Sequence, residues 1–255
     1  MIRKAILSVL PLVFCGAAFA QTTPSVDELV NKNIAARGGV EKLKAIQSVK
    51  VTGKGIAMNG LELPMTVVLK RPGLMRTELS LQGRMIVQAF DGTDSWSINP
   101  MTGSDEPQKA AADESKQARN RAESTFDGFL MDYKSKGIKV ELVGKEDVEG
   151  APAYKLKLTT KDGDVIYNYL DVGTYLDVKT TANVKQMGQE MEVDSYPSDY
   201  KSVNGVMMAH TIDQRVGGNS VMKLVMDKVE TNVPIDDAVF KFPAKPAAKP
   251  EDKKQ

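Results

Sequence analysis

The 255-residue chain sets 34 Lys and Arg against 33 Asp and Glu, is 42% hydrophobic and 26% charged, and holds only 20 Gly and 12 Pro. These proportions exclude a disordered, collagen-like or wholly membrane-embedded chain. The near-cancellation of charge removes the basic footprint that nucleic-acid binding needs, so partners are to be recognised by shape and apolar contact.

The first twenty residues read as a cleaved signal peptide. Arg3 and Lys4 form a charged start, Ala5 to Phe14 an apolar stretch too short to span a bilayer, and Ala18-Phe19-Ala20 a small-x-small cleavage signal. Cys15 is the only cysteine, and the bulky Phe14 before it argues against a lipid-modified site. The cleaved chain then has no cysteine, which excludes disulfides and thiolate metal sites. No apolar run of membrane-spanning length follows, so the product is expected in an exported compartment.

Ser25-Val26-Asp27-Glu28 is a capping box, and Val26, Leu29, Val30 and Ile34 line one face of the helix it opens. Gly38-Gly39 stops that helix; Val40, Leu43 and Ile46 suggest a further helical turn, and the period changes at about Ser48. After the Asn59-Gly60 turn, Leu61, Leu63, Met65, Val67 and Leu69 take every odd position, the mark of a strand with one buried face. Met75, Thr77, Leu79 and Leu81 repeat the pattern, followed by Met85, Val87 and Ala89, then Trp96 and Ile98. Asp162-Gly163, Asn204-Gly205 and Gly217-Gly218 divide later strands. The segmentation gives five strands between Val49 and Asn99 and six or seven between Ile138 and Thr231, a large antiparallel sheet.

One stretch interrupts the strands. From about Gln108 to Tyr133, Ala111, Ala118, Ala122, Phe126, Phe129, Leu130 and Tyr133 share one helical face. The first half offers only alanines among charges and the second half large side chains, with Gly128 a weak point, so this helix is expected to be anchored at its C-terminal end only. Residues 244–255, rich in Pro, Ala and Lys, are expected to form a disordered tail.

Catalytic signals are sparse. His210, the one histidine, shares a strand face with Met208 and Ile212 and is expected to be buried and hydrogen-bonded, and no nucleophile motif accompanies it. A single histidine cannot build a histidine metal site. Glu190, Glu192 and Asp194 fall on one strand face opposite Met191 and Val193, as an outward, solvated row would. Nothing here demands an enzyme, and no cofactor is implied.

Methionine is the anomaly: Met65, Met75, Met85, Met191 and Met208 take strand positions read as inward. Methionine adapts to variable apolar partners, which suits flexible acyl chains, although a core filled with methionine in place of leucine is the plainer alternative. Architecture favours the first. A sheet of eleven or more strands has more inner face than a few helices can fill, so it must curl, and its hollow becomes a ligand cavity. The expected lining is Met65, Val67 and Leu69, then Met75 and Leu79, Met85 and Val87, and Trp96, with Phe126, Phe129 and Leu130 from the helical insertion.

Arg71-Pro72-Gly73-Leu74-Met75-Arg76, Asp91-Gly92 followed by Trp96 and Pro100, Tyr200 with Asn204-Gly205-Val206, and the closing Val239-Phe240-Lys241-Phe242-Pro243 give the chain a wider likeness. In order and spacing, from about Val26 to Pro243, it resembles the LolA-type outer-membrane lipoprotein-sorting proteins. The resemblance implies a mainly β (α+β) domain over residues 21–243: a half-open antiparallel barrel of about eleven strands with an N-terminal helix and an inserted helical lid. It also implies a periplasmic carrier of lipoprotein or other lipid acyl chains, which takes cargo from an inner-membrane ABC transporter, passes it to an outer-membrane acceptor, and touches membranes only transiently. Two other readings stay open: an envelope sensor or scaffold of the same fold that binds lipid or lipoprotein to regulate a protein partner, and an exported hydrolase. Aromatics, at 6%, are fewer than such a cavity leads one to expect.

Overall fold

In a computed structural model of the chain, which describes residues 23–186 and 189–243, the alternating segments become one antiparallel sheet. The expected signal peptide and the expected tail from residue 244 lie outside the described residues. Ser25 caps α1 (Val26–Ala36), its hydroxyl accepting from the Glu28 amide at 3.2 Å, and Leu29, Val30 and Ile34 are buried as the spacing requires. The short α2 (Val40–Ala45) buries Leu43 and leads into the first strand.

Six strands follow as a meander: β1 (Ser48–Ala57), β2 (Glu62–Lys70), β3 (Leu74–Leu81), β4 (Arg84–Phe90), β5 (Ser95–Asn99) and β6 (Ser104–Lys109). After α3 (Ala112–Asp127) come seven more: β7 (Lys139–Val148), β8 (Ala151–Thr159), β9 (Val165–Asp171), β10 (Asp177–Gln186), β11 (Gln189–Val203), β12 (Val206–Val216) and β13 (Asn219–Thr231). The described residues thus form thirteen strands rather than about eleven. The strand absent from the sequence reading is β6, whose Ser-Asp-Glu-Pro-Gln-Lys run has no apolar alternation. Gln108 and Lys109 belong to it, so α3 begins later than expected. It also ends earlier, because Gly128, at φ 72, terminates the helix instead of weakening it, and Phe129, Leu130 and Tyr133 lie in the turns that follow.

The strand order is β6-β5-β4-β3-β2-β1-β13-β12-β11-β10-β9-β8-β7. Every neighbouring pair is consecutive in sequence except β1 and β13, where Val49 lies opposite Thr231. Side chains of β2, β3 and β4 (Met65, Met75, Phe90) share a buried cluster with those of β8 (Leu156, Leu158), far along the sheet, so the sheet curls without closing. Its free edges are blunted. β6 carries Pro107, and β7 is bulged between Leu142 and Gly144 and lined with Lys139, Glu141, Lys145 and Glu146. These two edges are consecutive in sequence, and the chain joining them contains α3. Topology therefore sends α3 across the gap of the half-open barrel.

Candidate functional site

The concave face follows from register. β2 and β3 are joined by a three-residue loop and pair Met65 with Leu79 and Leu69 with Met75, so odd positions face inward in both. Across β1, Gly53 and Gly55 sit opposite Met65 and Leu63. Gly53 marks a bulge, where a Cβ would collide with the carbonyl oxygen of Val225. At Gly55 a Cβ would meet Met222 Sδ at 3.0 Å and Leu79 Cδ2 at 3.3 Å, which places β3 and β13 side chains together over β1.

Eight of the eleven expected lining residues come together here. Met65, Leu69, Met75 and Leu130 are buried in the main core, and Val67, Leu79, Phe126 and Phe129 pack half-buried against it. The other three do not. Met85, Val87 and Trp96 lie on the opposite face, because β3 and β4 are joined by the two-residue turn Gln82-Gly83 and pair Met75 with Phe90. An even-length turn moves the inward positions from odd to even, so Phe90 and Ile86 face the core and Val87 faces away. Met85 is exposed. Val87, Ala89 and Trp96 form a second small cluster. A strap from the chain's end covers it: a 3-10 turn, Asp237–Phe240, buries Phe240, whose carbonyl accepts from Trp96 Nε1 at 2.8 Å. Phe242 meets the Trp96 ring edge-on at 6.1 Å, and Arg76 lies 5.3 Å above that ring while donating to the Val239 carbonyl at 2.9 Å. The closing Val239–Pro243 motif is therefore a structural cover rather than part of the hollow.

The end of α3 is clamped in place. Arg71, in the β2–β3 loop, donates to both carboxylate oxygens of Asp127 at 3.0 and 2.5 Å, and to the carbonyls of Ile46 at 2.8 Å and Leu43 at 3.3 Å. Its guanidinium also lies 4.9 Å over the Phe126 ring. Arg37 donates to the carbonyls of Asp127 at 2.6 Å and Phe126 at 3.4 Å. The turns after the helix are held to α1 and α2, where Asp27 accepts from Tyr133 at 2.7 Å and Lys134 at 2.9 Å, and Lys44 pairs with Asp132 at 2.9 Å. The Lys134 and Tyr133 hydrogen bonds hold the Asp27 carboxyl below the usual carboxylate range.

The N-terminal half of α3 is not free, contrary to the expectation of a single anchor. Ser115 Oγ accepts from the Ser95 amide at 3.1 Å, Lys116 lies 3.6 Å from Asp162, and Ala118 packs against the main core. The attachment is nevertheless lighter there: Ala111 gives the helix no side-chain cap, and the apolar contacts are alanines. No charge pattern in the sequence marked Arg71 or Arg37 as clamps, since their partners are distant or are carbonyls.

Beyond α3 the concave wall stays half-buried, at Leu79 and Leu224, at Met208 and Met226, and at Ala182 and Val229. Among the buried polar residues is Asn33, which the sequence reading missed. Asn33 donates to the Tyr175 carbonyl at 2.8 Å and lies 3.4 Å from Asp177, which also accepts from Asn168 at 2.8 Å. Its position, four residues after Leu29 and three after Val30, was the available signal. The Tyr200 hydroxyl donates to the Asp177 carbonyl at 2.9 Å, and burial pushes that phenol up. His210 is buried, its Nδ1 3.0 Å from the Met208 carbonyl, as expected. Glu190 and Glu192 are exposed, and Asp194 pairs with Lys179 at 2.9 Å. Among the described residues no cluster of His, Cys, Asp and Glu is placed to hold a metal, and no helix is long and apolar enough to cross a membrane.

The same fold occurs in solved structures. The chain matches a DUF1329 family protein from Desulfovibrio piger over 86% of its own length and 98% of that chain, with TM-score 0.56 and 12% identity. It matches a domain assigned to outer membrane lipoprotein sorting from Vibrio parahaemolyticus over 84% and 94%, with TM-score 0.56 and 14% identity. For a LolA superfamily protein from Nitrosomonas europaea the values are 86% and 98%, TM-score 0.54 and 14% identity. At such identities the likeness is one of fold, and that fold is the one the sequence resemblance implied. No protein-family model matches the chain, and no characterised protein matches it in sequence.

Proposed function

We propose that the protein is an exported carrier that shields the acyl chains of a lipid or lipoprotein in its half-open barrel. The observation that carries this reading is the placement of α3 across the gap between the two free sheet edges, over an apolar wall that it covers only in part. A carrier needs a wall that adapts to flexible chains and a cover that can move; methionine and leucine supply the first and the lightly attached half of α3 the second. The need is physical, since each exposed methylene costs about 0.8 kcal/mol in water, or about 12 kcal/mol for a sixteen-carbon chain. The fold shared with the Vibrio domain assigned to lipoprotein sorting supports the same reading.

In this account residues 1–20 direct export, residues 21–243 form the carrier domain, and the working compartment is the periplasm. Cargo is taken from an inner-membrane ABC transporter and delivered to an outer-membrane acceptor, with only transient contact to either membrane. No chemistry on the cargo is required. Native mass spectrometry of protein isolated from the periplasm is the test. A co-purifying acyl-chain mass, lost on mild activation, is expected; protein that carries none and takes up no fluorescent acyl probe in vitro refutes the carrier.

A further inference from the structure

The hairpins of the first meander all turn at one end of the sheet. α1 and α2 sit at the other end, where Arg71 of the β2–β3 loop donates to the Ile46 and Leu43 carbonyls and the Met207 amide, just past the β11–β12 turn, donates to the Arg37 carbonyl at 3.0 Å. Because consecutive strands are antiparallel, the β1–β2, β3–β4 and β5–β6 turns fall at the end away from these helices. Met58 in the first of these turns and Met101 in the third are the most exposed large apolar side chains among the described residues, at 73% and 74%. Leu61 beside Met58 and Met85 after the second turn are exposed as well, at 40% and 41%.

Both methionines are held out by closed turns. Asn59 Oδ1 accepts from the Leu61 amide at 3.1 Å and the Gly60 amide donates to the Ala57 carbonyl at 2.8 Å, which fixes the loop that carries Met58. Met101 sits in a 3-10 turn, Pro100–Thr102, where Asn99 Oδ1 accepts from the Met101 amide at 3.1 Å and the Gly103 amide donates to the Pro100 carbonyl at 3.1 Å. Asn, Gly and Pro make these turns; methionine adds nothing to their geometry and leaves apolar surface in water. Ion pairs flank the tips, Lys54 with Glu62 at 2.6 Å and Arg84 with Asp105 at 2.7 Å. The first and third tips stand about four strand spacings apart along the sheet, roughly 20 Å.

We infer that this rim docks the protein on a lipid bilayer, with Met58, Leu61, Met85 and Met101 entering the interface from three successive turns. The inference deepens the carrier reading by naming the surface through which it meets a membrane. The tips are separated apolar points beside paired charges. A fluid bilayer accepts such points one by one, whereas a protein partner needs a complementary pocket for each. Four side chains bury far less than a lipid anchor or an amphipathic helix, so the docking is reversible, as a shuttle requires. Because the contact is apolar, it needs no anionic lipid. It sets the turn end of the meander against the bilayer and keeps α1 and α2 away from it.

The test uses the full exported chain and vesicles of phosphatidylcholine. Tryptophan is introduced as Met58→Trp, Met101→Trp or, on α2 at the opposite end, Glu41→Trp; the native Trp96 is buried and gives a constant background. Brominated phosphatidylcholine should quench the two tip tryptophans about twofold and leave Glu41→Trp unquenched. In vesicle sedimentation, the Met58→Asp, Met101→Asp double variant should partition about tenfold more weakly, and raised salt should leave the parent's partition within about twofold. Both side chains are largely exposed, so the variants should keep the fold, and circular dichroism checks this. Uptake of a fluorescent acyl probe by the double variant should stay within about twofold of the parent. A parent that does not bind these vesicles, or that binds only vesicles containing phosphatidylglycerol and leaves them in salt, overturns the docking rim. So does equal quenching at Glu41→Trp, or a loss of acyl-probe uptake that matches the loss of partition. In each of these cases the carrier stands as long as the parent takes up the probe; a parent that partitions through its tips but takes up no probe refutes the carrier and leaves the rim.

Discussion

Replacing Arg71 with alanine should loosen α3 without unfolding the barrel. The substitution removes a two-pronged ion pair to Asp127, the hydrogen bonds to the Ile46 and Leu43 carbonyls and the stacking on Phe126. Breaking one side of a fully buried pair costs roughly 3–5 kcal/mol and an exposed pair about 0–1. The Arg71 and Asp127 side chains are 23% and 14% exposed, which places the loss between these limits, at about 2–3 kcal/mol. Arg37 and the Asp27 and Lys44 contacts remain, so the loss falls on the docking of the helix. A change of that size raises the undocked population about 30- to 150-fold. Amide hydrogen exchange reads it directly: residues 112–127 should exchange faster by that factor, while the Leu156 and Leu170 amides serve as the internal reference. Arg71→Lys should fall between, because an ammonium cannot engage both carboxylate oxygens and the two carbonyls in the same plane. Equal acceleration of helix and reference amides would show Arg71 to be a general stabiliser, and no acceleration would show that other contacts hold the helix; either result refutes the clamp.

Three further outcomes follow from the geometry. Phe240→Ala, on the face away from the hollow, should lower unfolding stability by about 3–5 kcal/mol in a denaturant titration and leave acyl-probe affinity of the folded fraction unchanged. Gly55→Leu should have the opposite profile: a side chain pushed among Met222, Leu79 and Leu224 costs about 1–3 kcal/mol of stability and cuts uptake of a fluorescent acyl probe. Acid should release the turns after α3, since Asp27 holds Tyr133 and Lys134 only while ionised. Its carboxyl is lowered, so the contribution is complete above the ordinary aspartate value of about 3.9 and lost as pH falls through the lower folded value. Exchange at the Tyr133 and Ile138 amides should quicken below about pH 4 in the parent, and Asp27→Asn should show the faster rate at every pH.

How far the sequence could be read depended on what each segment faces. β2 was legible because one of its faces is buried along most of its length, and α1 because Ser25 and Glu28 mark its start. β6 was illegible because an edge strand over solvent needs no apolar alternation, and its Pro107 argues against a strand while doing the work of an edge. The inward face of β4 was misread for want of one turn: Gln82 and Gly83, at φ 51 and φ 80, make a two-residue connection that the Asn-Gly and Asp-Gly pattern did not flag. Trp96 was accordingly placed in the hollow, although its indole N–H needed a buried acceptor that the chain's end supplies. The clamps on α3 could not be read at all, because Arg71 and Asp127 are 56 residues apart and nothing local records their meeting.

The single non-consecutive pairing in the sheet, β1 with β13, governs the order in which the chain can assemble. Each meander closes through hairpins whose partners are neighbours in sequence, but the seam between them joins Val49 to Thr231 and is made only when the last strand is available. A chain that emerges N-terminus first holds β1 as a bare edge until the last strand has been made. That strand carries Lys50 and Lys54 between its glycines and valines, charges that discourage a second chain from adding to it. The seam also makes the final strand the least dispensable: a product truncated before Asn219 keeps almost every hairpin, yet it leaves two separate sheets with four open edges in place of two.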